Sequence, residues 1–293
     1  MSKLVISEIT EISDLLQVIN LLRIGLKCNY EWSTKLFSHL VIMNKEHANY
    51  GFYLKSNNLI VGGIITIKQG NFKKDNGEIV EILNTSSFYV KPAFRGLPAI
   101  RLLKAQLDKY KNSILTSFPK GKFIFLNEKL GFKKMEHSIL RLSFLRFFGF
   151  FQLNNLRVKK IAKNSFEFKD EKFFFDTNKI KDCEIFEIQI KNNKSIKIIG
   201  IFKHRLIKRI KIKHFTILWA SDENTLEKVL FALTSYFFVS CRCLYLDYYK
   251  SNLIEIKTLE KFIIKRRFLI KNNQDLQYVP VLGSELSIGT INL

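Results

Sequence analysis

The residues with the clearest chemical potential are Arg95 and Gly96, which form a turn between a β-prone segment and an amphipathic segment. Residues 87–90 favour a strand, Pro92 ends it, and Pro98 suits the first turn of a helix, where an N–H would have no intrahelical partner. A strand, turn and helix in this order direct backbone N–H groups and the positive end of the helix dipole at one place. This segment is therefore typical of a phosphate or diphosphate site.

The same segment resembles the diphosphate loop of the GNAT acyltransferases, which transfer an acyl group from acyl-CoA. Their loop reads V-x-P-x-x-R-G-x-G-x-G/A, and it is matched here at Val90, Pro92, Arg95 and Gly96. Where the family has small residues, this chain has Pro98 and Ile100. The resemblance implies that acetyl-CoA or another acyl-CoA is bound by Tyr89, Val90, Arg95, Gly96, Leu97, Pro98, Ala99, Ile100 and Arg101.

A second motif lies downstream, because residues 122–132 resemble the last helix of the family and its terminal L-G-F signature at Leu130, Gly131 and Phe132. The order of predicted elements is a β-hairpin, a strand, the R-G loop, a helix, a strand and a helix, which is the order of the family. We therefore expect residues 1–145 to form a GNAT-like, acyl-CoA-binding domain. Its fold class would be α/β (α+β), with a mixed, mostly antiparallel, twisted sheet flanked by helices.

Two residues are candidates for catalysis, Asn127 by its position in the family signature and Glu81 by its charge. The family often carries a Tyr near the L-G-F signature that protonates the leaving CoA thiolate, and Asn127 occupies that position here. Glu81 lies earlier, in the predicted fourth strand, and could reach the acceptor amine directly or through water. The alternative for Glu81 is a solvated strand face. General acid–base help contributes about 10²–10⁴-fold, and an acyltransferase without it still gains from holding amine and thioester together.

The second half of the chain repeats the first in coarse outline, which predicts a second, degenerate GNAT-like domain over residues 146–293. Its predicted strands are 181–190, 195–202, 207–220 and 243–248, and its predicted helices are 225–238 and 259–267. The R-G loop is replaced by Ser221, Asp222 and Glu223, whose carboxylates would repel a diphosphate. We therefore expect this half to pack against the first and to wall off the acceptor cleft without binding CoA.

Composition permits a large core and favours an anionic partner. The chain has 293 residues, 47% of them hydrophobic, with 27 Phe and a formal net charge of +22. The alternative source of the basic excess is a coding bias towards Lys, Ile and Asn. Residues 140–153 are rich in Phe and flanked by Arg, which fits either a last strand with an interdomain contact or a peripheral membrane contact.

Several classes of protein are disfavoured by the sequence. The five His and four Cys have no metal-binding spacing, so no metal site is expected. No window of about 18 apolar residues free of charge occurs, so no transmembrane segment is expected. The first residues lack an apolar signal segment, which favours a cytoplasmic location.

Together these features predict an acyl-CoA-dependent N-acyltransferase that moves an acyl group, most simply acetyl, to an amine such as an amino sugar. One alternative is an aminoacyl transferase of the Fem type, which would use aminoacyl-tRNA; nucleic acid is expected as a partner only in that case. Another is a non-catalytic GNAT-fold binding module, motivated by Pro98, Ile100 and Asn127.

Overall fold

A computed structural model describes residues 3–44, 49–117, 122–144, 156–166, 173–174, 183–190, 194–207, 210–250 and 263–271. The elements of the first half are β1 (Leu4–Glu8), α1 (Ile12–Gly25), α2 (Tyr30–Met43), β2 (Gly51–Ser56), β3 (Leu59–Lys73), β4 (Ile79–Val90), α3 (Leu97–Lys109), β5 (Ile114–Ser117), α4 (Lys122–Lys129) and β6 (Lys133–Ser143). The elements of the second half are β7 (Leu156–Ile161), β8 (Phe173–Phe174), β9 (Cys183–Ile190), β10 (Lys194–Ile207), β11 (Ile210–Ala220), α5 (Glu223–Cys241), β12 (Tyr245–Lys250) and β13 (Ile263–Lys271).

The strands of both halves join edge to edge in one sheet. Their order is β1-β2-β3-β4-β5-β13-β6-β12-β11-β10-β9-β7, and β8 pairs with β3. Neighbours are antiparallel except for the pairs β4–β5 and β11–β12, which are parallel and occupy corresponding places in the two halves. The predicted fold class, with mixed and mostly antiparallel sheets flanked by helices, is confirmed. The division into domains at residue 145 stays a prediction.

The centre of the sheet contains an exchanged pair of strands, β6 and β13. Strand β13, from the second half, lies between β5 and β6, while β6, from the first half, pairs with β12 on its other edge. Each half thus supplies five strands in a row and takes its sixth from the other half. As a result, neither half of the sheet is complete without a strand from the other.

The closing helix that the sequence predicts at residues 259–267 is wrong over its described part, because residues 263–267 belong to strand β13. This strand pairs on both edges, with Leu269 opposite Ser117 of β5 and Lys134 of β6. Its Ile and Phe content suits a central strand. Since both partners lie far away in the sequence, local periodicity did not reveal them.

Helices cover both faces of the first half of the sheet. Helix α1 buries Leu15, Val18, Ile19 and Leu22, whose spacing places them on one side of the helix, towards β3. On the opposite face, Leu102 and Leu103 of α3 pack with Val90 of β4. In the second half, α5 packs on a core that includes Leu142 of β6 and Leu246 of β12. These layers fix the ends of β4 and β5 relative to α3.

The Phe-rich stretch considered as a membrane contact is described only as far as Phe144. Leu140, Leu142 and Phe144 are buried, and the Phe144 ring stacks on Phe238 at a centroid distance of 3.7 Å. The remaining residues of that stretch, 145–153, lie outside the described residues. No helix among the described ranges has the length and apolar character needed to cross a bilayer.

Candidate functional site

The candidate site is an opening in the sheet between β4 and β13. Strands β4 and β5 pair only from Ile82 with Ile114 to Thr85 with Ser117, where β5 ends. Strand β4 continues through residues 86–90, and β13 extends beyond β5 on its other side, through residues 263–268. Among the described residues, no strand lies between these two continuations. Because neighbouring strands lie about 5 Å apart, this leaves room for an extended ligand, bordered by the backbones of β4 and β13.

A β-bulge at Ser87 shapes the β4 side of this opening. Ile65 of β3 pairs with Ser86 and Ile64 pairs with Phe88, so Ser87 is the extra residue. Its φ of +43° is in the left-handed region, which is uncommon for residues other than Gly. Bulges bend a strand and increase its twist. The bulge thus lies just past the last β4–β5 pair, where β4 has no partner on that side among the described residues.

The left-handed conformation at Ser87 predicts opposite effects of Gly and Ala at two adjacent serines. We expect Ser87→Gly to be more stable than Ser87→Ala by about 1 kcal/mol, since a Cβ is strained at positive φ. At Ser86, in extended backbone, Ala should instead be more stable than Gly by about 0.5–1 kcal/mol. Urea denaturation of the four variants measures both differences. If Ala were more stable than Gly at both positions, the backbone of Ser87 would not have the left-handed conformation.

Tyr89 connects the turn after β4 to the end of α1. The Arg95 guanidinium lies 5.8 Å from the centre of the Tyr89 ring, and its Nε donates a hydrogen bond to the Val90 carbonyl at 3.2 Å. A Cβ added to Gly25 would lie 2.4 Å from the same ring, so the backbone of α1 packs directly on it. Three predicted site residues, Tyr89, Val90 and Arg95, are therefore in contact.

The N-terminus of α3 is uncapped and open. Gly96 precedes the helix with φ +90°, no side chain caps the first turn, and a Cβ at Gly96 would meet no atom within 4 Å. The N–H groups of Leu97 and Ala99 belong to the first turn, where no intrahelical acceptor exists, and Pro98 has no N–H. Arg95 and Arg101 are exposed nearby. This end of α3 can thus offer two backbone donors, the helix dipole and two guanidinium groups to an anion.

The corresponding helix of the second half has a different N-terminus. The Asp222 side chain accepts hydrogen bonds from the Thr225 backbone N–H at 3.0 Å and from the Thr225 hydroxyl. These hydrogen bonds lower the pKa of the Asp222 carboxyl below its ordinary value. A carboxylate of the protein itself therefore occupies the place that a phosphate would take at α5.

Helix α4 borders the opening through its aromatic residues. The Phe123 ring lies 4.8 Å from the ring of Phe88, the residue after the bulge. Asn127, predicted as a catalytic residue, is buried, and its Nδ2 donates to the Phe123 carbonyl at 2.8 Å. The backbone carbonyl of Asn127 accepts hydrogen bonds from the backbone N–H groups of Leu130 and Phe132. The structure thus uses Asn127 to close the end of α4, and its catalytic role stays a prediction.

The structure places Glu81 away from the R-G loop. Its carboxylate forms an ion pair with Lys68 Nζ at 3.1 Å. It lies five residues before Ser86, which is about 17 Å along an extended strand. Because side chains alternate along β4, Glu81 lies on the same face of the sheet as Leu83, and Asn84 lies on the other face. Leu83 packs near Leu107 of α3 and Leu130, which follows α4. Its role as a catalytic base stays a prediction.

Sequence reasoning missed a buried polar network below the opening. Asn84 of β4 is fully buried, and its Nδ2 donates to Thr116 Oγ1 at 3.1 Å. The Thr116 hydroxyl in turn donates to Gln69 Oε1 at 2.6 Å. Asn84 Oδ1 has no hydrogen-bond partner within the described ranges. These bonds hold β3, β4 and β5 in register next to the point where β5 ends, while β3 and β4 stay paired as far as Gly62 and Val90.

No family model and no curated protein matches the sequence. Among solved structures, a GCN5-related N-acetyltransferase from Anabaena variabilis is similar with a TM-score of 0.62 and 10% identity, over 92% of this chain and 72% of that one. One from Kribbella flavida has a TM-score of 0.62 and 12% identity, over 92% and 71%.

The chain has the GNAT fold. Saccharomyces cerevisiae N-myristoyltransferase, solved with myristoyl-CoA and inhibitors, is similar with a TM-score of 0.50 and 8% identity, over 92% of this chain and 80% of that one. At such low identities the likeness concerns the fold. Each of these three matches covers 92% of the chain.

Proposed function

We propose that the protein is an acyl-CoA-dependent N-acyltransferase. The observation that carries this proposal is the opening beside the bulged end of β4, which leads directly to the uncapped N-terminus of α3. In this arrangement the diphosphate of CoA binds Arg95, Gly96, Leu97, Ala99 and Arg101, and the pantetheine arm lies along residues 86–90. The N-myristoyltransferase with a related fold was solved with an acyl-CoA, which supports such a donor.

The proposed reaction needs the acceptor amine and the thioester to meet in the opening. The amine nitrogen attacks the thioester carbon, the new C–N bond forms, and the C–S bond breaks. The amine loses one proton, and the CoA thiolate takes one. In this proposal, holding the two reactants together in the opening supplies most of the rate gain. An acetyl donor and an amino-sugar acceptor are the simplest substrates to test first.

Thermal stabilisation by acetyl-CoA, CoA and a longer acyl-CoA tests the donor site. At a hundredfold excess over the Kd, a bound ligand raises the free energy of unfolding by about 2.7 kcal/mol. We expect this gain to be lost in Arg95→Glu, which places a carboxylate beside the diphosphate. Arg157→Glu is a matched control, because Arg157 is an exposed arginine on β7 at the far edge of the sheet.

An absence of stabilisation by any CoA would overturn the donor assignment. Equal stabilisation of wild type and Arg95→Glu would place the CoA site elsewhere on the molecule. Release of free CoA thiol from acetyl-CoA, measured with a panel of amines, then separates an enzyme from a non-catalytic binding module.

A further inference from the structure

The end of the first half that contains the opening also exposes large apolar side chains. These residues, named here the rim, are between 40% and 76% exposed. They are Ile24, Leu26, Tyr30, Leu59 and Leu97. Single exposed apolar residues are ordinary, but several around one site indicate a surface that contacts something else.

The rim residues come from four element ends that meet around the opening. The end of α1 packs on Tyr89 through Gly25, and Arg95 approaches the same ring, which brings the end of α1 and the start of α3 to one place. The Lys91 N–H donates to the Val61 carbonyl at 2.8 Å, which brings the β2–β3 turn next to the same loop. The rim therefore lies at the β4 side of the opening.

Two of the chain segments that contain rim residues carry many basic side chains. Residues 20–30 and 91–107 contain no Asp or Glu. Their basic residues are Arg23, Lys27, Lys91, Arg95, Arg101 and Lys104. The whole chain is also basic, with a formal net charge of +22. A surface of this kind is complementary to a negative one.

Aliphatic tips among Lys and Arg match the chemistry of an anionic bilayer surface. The apolar tips enter the boundary between headgroups and acyl chains, while each nearby Lys or Arg is attracted to anionic lipid. A single-stranded nucleic acid would instead be bound through stacked aromatic rings. Four of the five rim residues are Ile or Leu, and Tyr30 is aromatic. Phe125 of α4 is also exposed, with Lys129 Nζ over its ring at 4.5 Å.

We propose that the rim docks on the surface of an anionic lipid bilayer. Docking turns the opening towards the membrane. If the proposed function holds, the acceptor amine then belongs to an amphipathic molecule at that surface; this part rests on the proposed function, whereas the docking does not.

Sedimentation with vesicles tests the docking. We expect the protein to bind phosphatidylcholine vesicles that contain phosphatidylglycerol, and to bind pure phosphatidylcholine vesicles much more weakly. High salt should weaken binding, because it screens the charges. The double variant Ile24→Ser/Leu59→Ser should bind at least tenfold more weakly, since it removes two aliphatic side chains that would be buried in the bilayer boundary.

Ile79→Ser is the matched control and should leave vesicle binding unchanged. Ile79 is 62% exposed and Ile24 is 63% exposed, but Ile79 begins β4, about 35 Å along the strand from Val90. No binding to anionic vesicles would overturn the proposal, as would an equal loss in the rim variant and the control. Unchanged binding of the rim variant would assign the attraction to charge alone and would also overturn it.

The donor assay separates this proposal from the proposed function. Vesicle binding without stabilisation by any CoA supports docking and rejects the acyl-CoA site. Stabilisation by CoA without vesicle binding supports the acyl-CoA site and rejects docking.

Discussion

Replacing Leu269 with proline is expected to lower the free energy of unfolding of the entire chain by about 3 kcal/mol or more. Leu269 lies in the middle of the sheet, opposite Ser117 on one side and Lys134 on the other. Proline cannot donate to a ladder and is poorly tolerated in a central strand. Denaturation followed by circular dichroism measures the loss, and we expect a single transition, because β13 joins both halves.

Leu269→Val is the matched control for this prediction. Valine keeps a backbone N–H and has a high β-propensity, so its cost should be small beside that of proline. If the proline variant unfolds at the same denaturant concentration as wild type, β13 does not lie between β5 and β6. If only part of the signal shifts, the two halves unfold separately and the exchange does not couple them.

The second large effect is expected at the ion pair between β6 and β12. Arg141 donates from Nε to Asp247 Oδ1 at 2.8 Å and from Nη2 to Asp247 Oδ2 at 2.7 Å, and Asp247 is only 2% exposed. Arg141→Met leaves a buried carboxylate without its guanidinium. Such a loss costs about 3–5 kcal/mol. Urea denaturation gives the change.

The double variant Arg141→Met/Asp247→Leu tests the cause of that loss. Removing both charges from a buried pair is often nearly neutral, so we expect the double variant to recover most of the stability. A double variant as unstable as Arg141→Met would mean that packing, and not the stranded charge, sets the cost. A loss below about 1 kcal/mol in the single variant would contradict the buried pair itself.

Local signals in the sequence were enough to predict the R-G loop and its surroundings. Pro92 follows the end of the strand, Pro98 lies in the first turn of the helix, and Gly96 between them has a φ of +90°. These signals act over a few residues, so they survive without knowledge of the fold. They predicted β4 and α3, whereas the contact of Tyr89 with Arg95 was not predicted.

Other features depend on partners far away in the sequence and were not predicted. The bulge at Ser87 results from a mismatch with β3 that involves Ile64 and Ile65. The placement of β13 depends on β5 and β6, more than a hundred residues earlier. The charge of Glu81 makes it a candidate catalytic base, but strand alternation and the ion pair with Lys68 determine the position of its carboxylate.

The exchanged strands also determine when the molecule can fold during its synthesis. After β6 leaves the ribosome, about 130 further residues must be made before β13 is available, which takes roughly 6 to 26 seconds at 5–20 residues per second. Until then, the facing edges of β5 and β6 have no partner between them. Open strand edges attract other chains, so the nascent protein passes through an aggregation-prone interval that no mature surface reveals.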